Sequence, residues 1–267
     1  MNSEDALRQM DTGGTFLGHF LAGSIYISFG MFFLCLSLSR ARSLRPGESF
    51  VKLYVPERNK QLLTRLAALF ISLLCVGIVA EGSGYCIDTR LESYSCFFHQ
   101  SFHQTVYLMH AMIGLVAFFE AKGRLPPDSW RAMFALTNFC AGLMFTEHSS
   151  MKKHLAEEHS HRLLALACFI SAAVLTVSVL KPEQLVLYIS GYGLCIVKGL
   201  WYYTAGLKPP VHLVATFFAL EVMLVSVSIV VITALFVAPA GSSMSTKTLS
   251  DDQDKDNLSE YNHLILE

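Results

Sequence analysis

Charged residues are what this chain has least of. Asp, Glu, Lys and Arg make up 15% of its 267 residues, where a soluble domain carries about 25%. A water-facing surface cannot be built from so few. What charge there is nearly cancels, to a formal −1, which leaves no basic footprint for nucleic acid. No Gly-rich phosphate loop or nucleotide fingerprint occurs. No cleavable signal peptide is expected: mostly polar residues precede the first apolar run, and no Ala-x-Ala site follows it. The first helix is then expected to act as the targeting signal.

What fills the space is apolar. Such residues make up 53% of the chain, its mean hydropathy is +0.45, and the reading is an integral membrane protein. Seven windows approach the roughly 20 apolar residues that a bilayer demands: 16–38, 65–84, 103–120, 132–148, 162–180, 184–206 and 211–237. The expectation is an all-α, polytopic seven-transmembrane-helix bundle over 16–238. A short segment, 1–15, precedes it and a polar acidic tail, 239–267, follows. Gly191, Gly193 and Gly199 in the sixth window point to close helix contacts.

Basic residues orient the bundle. Seven Lys and Arg lie between Arg40 and Arg65, and Lys122, Arg124, Arg131, Lys181, Lys247 and Lys255 fall on the same side. The other side holds six: Arg8, Arg90, Lys152, Lys153, Arg162 and Lys208. The N-terminus is therefore expected to be lumenal or extracellular and the C-terminus cytosolic. Five of seven cysteines lie within spans; Cys86 and Cys96 share a lumenal loop, where an oxidising compartment permits a disulfide.

With this topology, nine of the ten histidines gather on the lumenal side: His19, His99, His103, His110, His148, His154, His159, His161 and His212. Glu81 and Glu147 accompany them. His103 and His110 are two turns apart on one helical face, and His110 lies roughly 10 Å below the start of its span. Imidazoles and carboxylates converging from different helices suit zinc. They equally suit a proton sensor, since histidine titrates near neutrality, or a structural interfacial layer. The candidate metal or proton site is His19, Glu81, His103, His110, His148 and His159, with zinc as the candidate cofactor. Deeper, Lys198 and Glu221 lie at similar depth on sequential helices. They are expected to pair, because a lone charge in hydrocarbon costs several kcal/mol. Trp201, Tyr202 and Tyr203 read as an interface belt.

The tail is expected to be disordered. Its end, Glu260-Tyr-Asn-His-Leu264-Ile265, resembles the acidic dileucine signal read by clathrin adaptors, which implies traffic through trans-Golgi, endosomal, lysosomal or plasma membranes.

Several segments resemble the transmembrane protein 45 family, also called domain of unknown function 716. "GHFLAG" (Gly18–Gly23) is similar to its Gly-His-Ala-Leu-Pro-Gly opening, with Ala22 in place of Pro. "FHQTVY" resembles its Trp-Gln-His-Ser-Thr-Met-Tyr segment, and His159-Ser-His161 followed by "LL" resembles the second of its His-x-His pairs. "KGLWYYTAGL" is similar to Gln-Gly-Thr-Trp-Phe-Trp-Gln-Ile-Gly, with Gly199 and Trp201 in register and Lys198 in place of Gln. The resemblance implies a seven-helix protein of secretory or endosomal membranes and carries no defined activity.

The leading expectation is a non-enzymatic membrane protein that binds or transports a small ion or lipid, with the bilayer as its setting and a homo-oligomer as one assembly. The enzyme alternative is a metal-dependent membrane hydrolase acting on a lipid amide or ester, resembling the alkaline ceramidase and adiponectin-receptor group. The chain lacks a clear match to that group's Ser, Asp–His and paired His motifs. A third alternative is a trafficking or scaffold protein acting through its tail.

Overall fold

In the computed structural model the described residues are 16–42, 60–72, 75, 101–150, 152 and 154–237. They are helical, with no strand among them. We number the helices α1 (Phe16–Arg42), α2 (60–72), α3 (Ser101–Ala121), α4 (Ser129–Ser150), α5 (Leu155–Leu180), α6 (Leu185–Gly206) and α7 (Val214–Val237); a 3₁₀ turn, Val211–Leu213, leads into α7. The segment Ala238–Glu267 is a separate unit, outside the described residues.

Among the described residues four helices are long and apolar enough to cross a membrane: His19–Arg42, Leu155–Leu180, Leu185–Gly206 and Val211–Phe236. A shorter apolar helix runs from Tyr107 to Ala121. The window expected as the fourth span is helical as α4 but is not among these four; its buried face holds Arg131, Thr137, Asn138 and Ser149, and this polar content lowers its hydropathy. Of the expected second span, the described part is α2 and residue 75. Leu220, Met223, Leu224, Val227, Val230 and Leu235 of α7 all point outward. An apolar stripe of that length fits a lipid bilayer and would be costly in water.

Two helix pairs pack most closely, α1 on α6 and α4 on α5. The first contact is backbone on backbone. A Cβ added at Gly199 would lie 2.6 Å from Gly23 O, and one added at Gly23 would lie 2.6 Å from Gly199 O. Without a hydrophobic drive between helices in lipid, such close approach and its dispersion energy hold the pair together. Phe33 and Tyr192 stack at 5.1 Å lower in the same contact.

The turn from α3 to α4 is pinned by a carboxylate. Glu120 accepts from the amides of Asp128 (2.9 Å) and Trp130 (3.0 Å), satisfying donors that the first turn of α4 would otherwise leave open. Asp128 takes a left-handed φ of 71°, which Asp tolerates better than most residues. Its side chain holds the buried Arg131, with Oδ1 at 2.5 Å from Nη2. The guanidinium lies 4.3 Å from the centre of the Tyr188 ring. A buried arginine is tolerable on those terms.

Candidate functional site

Alternating helix direction brings the start of α1, the end of α4, the start of α5 and the end of α6 to one end of the bundle. Three imidazoles meet there. The His148 and His161 rings are 5.1 Å apart, and His19 and His161 are 6.5 Å apart. Tyr202 of α6 closes the group, 6.3 Å from His19 and 6.2 Å from Phe145, which itself touches His161. His19 and Tyr202 belong to the α1–α6 pair; Phe145, His148 and His161 belong to the α4–α5 pair. The layer therefore straddles the seam between the two.

One ring has a defined tautomer. His161 Nδ1 lies 2.7 Å from the carbonyl oxygen of Glu157. A carbonyl only accepts, so Nδ1 carries the hydrogen and Nε2 carries the lone pair of the neutral ring. Other bonds tie the halves together. Trp201, wholly buried, donates from Nε1 to Ser160 O at 2.9 Å, and Lys208 Nζ lies 3.3 Å from Glu157 Oε1. Glu158 pairs with Arg162 at 2.5 Å, and Glu147 is exposed. The acids at this end thus face basic partners or solvent rather than the layer.

Of the expected site, the structure joins His19 and His148, and it puts His161 where His159 was expected. His159 and His161 are two residues apart, about 200° around the helix, so they cannot share a face. His110 sits deeper, with Nε2 at 2.6 Å from Tyr26 Oη. The Glu81 residue and the His103 side chain lie outside the described residues, as do Cys86, Cys96, Glu260, Leu264 and Ile265. Among the described residues no three His, Cys, Asp or Glu are grouped so that they could hold a metal ion.

The Lys198–Glu221 pair is not formed, and each group takes another partner. Lys198, with no exposed surface, donates from Nζ to Asn138 Oδ1 of α4. It lies 4.7 Å from the centre of the Tyr26 ring and 5.7 Å from that of Phe134. Glu221 Oε1 accepts from Thr204 Oγ1, and its Oε2 is buried without a hydrogen-bond partner. Helix direction gives the reason. Side chains lean toward the N-terminus of their own helix. The N-terminus of α6 is at the far end of the bundle and that of α7 is at the histidine end. Lys198 leans inward and Glu221 leans out toward Thr204.

The aromatic run is likewise not an interface belt. Trp201 and Tyr202 are buried. Tyr203 alone is half-exposed, stacked on Phe20 at 5.1 Å and bonded to Ser24 Oγ at 2.7 Å.

The stretch 128–208 spans α4, α5 and α6, and so contains His148, His161, Asn138, Lys198 and Trp201. That stretch matches the model of a family of unknown function (DUF716), which is the family this chain resembles over its most tightly packed helices.

Proposed function

We propose that this is a seven-span membrane protein of the secretory and endosomal system, allied to the transmembrane protein 45 family, whose His19–His148–His161 layer faces the lumen and senses its acidity. The observation that supports this reading is the convergence of three imidazoles from three helices across one seam. Imidazole titrates between about pH 5 and 8. Two imidazolium rings at the 6.5 Å separation of His19 and His161, which face each other across the seam, repel by about 2.5 kcal/mol at an effective dielectric near 20. Acidification adds positive charge across the seam and weakens it. Tyr202 of α6 closes the layer, while at the same end Glu157 and Glu158 face Lys208 and Arg162 and Glu147 faces solvent. The tail motif at Glu260, Leu264 and Ile265 serves as the sorting signal that brings the protein to acidifying compartments through clathrin adaptors.

A zinc ion in the same layer is the second reading, and one distance favours it. Two imidazoles on a tetrahedral zinc, at about 2.0–2.1 Å from each nitrogen, put their ring centres about 5.2 Å apart. His148 and His161 are at 5.1 Å. The deciding experiment combines elemental analysis of chelator-free protein with NMR titration of histidine-labelled protein. The expected result is that the His148 and His161 resonances titrate in the physiological range without stoichiometric metal. Stoichiometric zinc, lost in His161→Ala, would replace the proton reading with the metal one; rings silent to pH with no metal would end both.

A further inference from the structure

Of the four helices long and apolar enough to cross a membrane, α7 is the least enclosed by protein, and one of its side chains is out of place in hydrocarbon. Glu221 is the sole Asp, Glu, Lys or Arg in the apolar stretch Val211–Phe236. It lies seven residues past the start of α7, roughly 10 Å along the axis. We propose that Glu221 is a proton-binding site at the lipid-facing edge of the bundle, which holds its proton in the resting protein and exchanges it reversibly. This proposal does not depend on what the histidine layer senses.

The carboxyl sits between two environments. The residue is half-buried at a helix edge: Phe217 and Leu224, four before and three after it on its face, are exposed, and Val225, four after it, is buried. Oε1 accepts from Thr204 Oγ1 of α6, and Oε2 is buried with no hydrogen-bond partner. An ionised carboxylate has about four acceptor positions to fill, and here one hydroxyl serves them all. A neutral acid demands far less, because one of its oxygens carries hydrogen. Glu120 gives the contrast within the same chain: each of its oxygens accepts a backbone amide, the arrangement that suits a charged carboxylate.

Among the described residues Thr204 is the one side chain that the carboxyl engages. The titratable groups on the elements packed against α7 make other contacts. On α6, Lys198 bonds Asn138, Tyr203 bonds Ser24 and Lys208 lies against Glu157. On α5, Arg162 pairs with Glu158; His19 of α1 lies against His161 and Tyr202, and His212 of the 3₁₀ turn is exposed. A charge with no partner inside a lipid span is costly. A proton removes it and needs neither a cavity nor further ligands, unlike a metal ion, which takes several.

The test is modification by dicyclohexylcarbodiimide, a hydrophobic reagent that adds to protonated carboxyls. It is applied to the full-length protein in lipid nanodiscs and read by peptide mass mapping. The acid's proton passes to a carbodiimide nitrogen and the carboxyl oxygen bonds the central carbon; the O-acylisourea then rearranges to an N-acylurea that retains the whole reagent. A single adduct at Glu221 is expected at neutral pH. It should decline when the protein is equilibrated in alkaline buffer and be restored when the buffer is returned to neutral before labelling. A water-soluble carbodiimide should label the exposed Glu147 and Glu183 and leave Glu221 unmodified. Glu221→Gln, which keeps the side chain's shape and an acceptor for Thr204, should lose the adduct. The wild type decides the matter even if that variant fails to fold. No adduct at Glu221, equal labelling there by the water-soluble reagent, or labelling independent of pH would each overturn the proposal. None of these outcomes bears on whether His148 and His161 titrate.

Discussion

The contact between α1 and α6 gives the sharpest stability prediction. Replacing Gly199 by Ala adds one methyl group. That carbon would lie 2.6 Å from Gly23 O, 2.6 Å from Ile27 Cγ1 and 2.8 Å from Ile27 N. Carbon atoms rest comfortably at about 3.5–4.0 Å from their neighbours, so the helices must part by about 1 Å. Two of the three obstacles are backbone atoms and cannot rotate away. Overpacking of this kind costs about 1–3 kcal/mol, and the rigid obstacle places Gly199→Ala toward the upper end. For a chain of this size each kcal/mol lowers the unfolding midpoint by about 2–4 °C. The assay is thermal unfolding of detergent-purified protein, with Gly191→Ala as the comparison on the same helix. There the nearest atom is Leu175 Cδ2 at 3.3 Å, the end of a flexible side chain, and the cost should stay below about 1 kcal/mol. Equal midpoints for the two variants would refute the claim that backbone approach holds this pair.

Three other perturbations follow from single contacts. Trp201→Phe removes the donor to Ser160 O; together with the lost ring volume it should destabilise by at least about 1 kcal/mol, and chemical denaturation of the variant in micelles measures it. Glu120→Ala leaves the buried amide of Trp130 and the amide of Asp128 without their acceptor. A loss of about 1–3 kcal/mol is expected, and hydrogen exchange should speed up in the first turn of α4; unchanged exchange there would count against the cap. For the histidine layer, His161→Gln should abolish a pH-dependent unfolding midpoint between about pH 5 and 8, with the wild type less stable at the acid end. His159→Gln, on the opposite face of α5, should leave that dependence intact, and an equal effect of both would mean that the layer is wrongly drawn.

Much of the helical layout was legible because hydropathy reports which residues can sit in lipid. The apolar run expected over 184–206 became α6, Leu185–Gly206. The helices exceed the apolar windows where their ends are polar. The fifth window, 162–180, starts after the polar turn containing Glu157 and Glu158, yet α5 begins at Leu155. Acidic side chains in a first turn are favourable because they face the positive end of the helix dipole. A hydropathy window reads the same residues as loop. α4 illustrates the opposite limit. Its inward face carries Arg131, Thr137 and Asn138, so its mean hydropathy understates how deeply it is packed.

The histidine side of the site was legible in depth but misjudged in azimuth, and the sequence held a usable signal. The buried face of α5 includes Leu164, Ala165 and Cys168, three, four and seven residues after His161. Extending that 3.6-residue periodicity backward selects His161 and rejects His159, whose successors at the same spacings include the exposed Arg162 and Leu166. The same test keeps His19, which lies four and seven residues before the buried Gly23 and Tyr26, and His148, which lies three and seven after the buried Phe145 and Ala141. It also separates Lys198 from Glu221. Lys198 lies among Cys195, Trp201 and Tyr202 on a face that is wholly internal. Glu221 lies between the buried Val225 and the exposed Phe217 and Leu224, at an edge. Equal depth made the two charges look like partners. Pairing also requires that both residues face the same space and lean the same way along the bundle axis, and antiparallel helices do not give that to residues of equal depth.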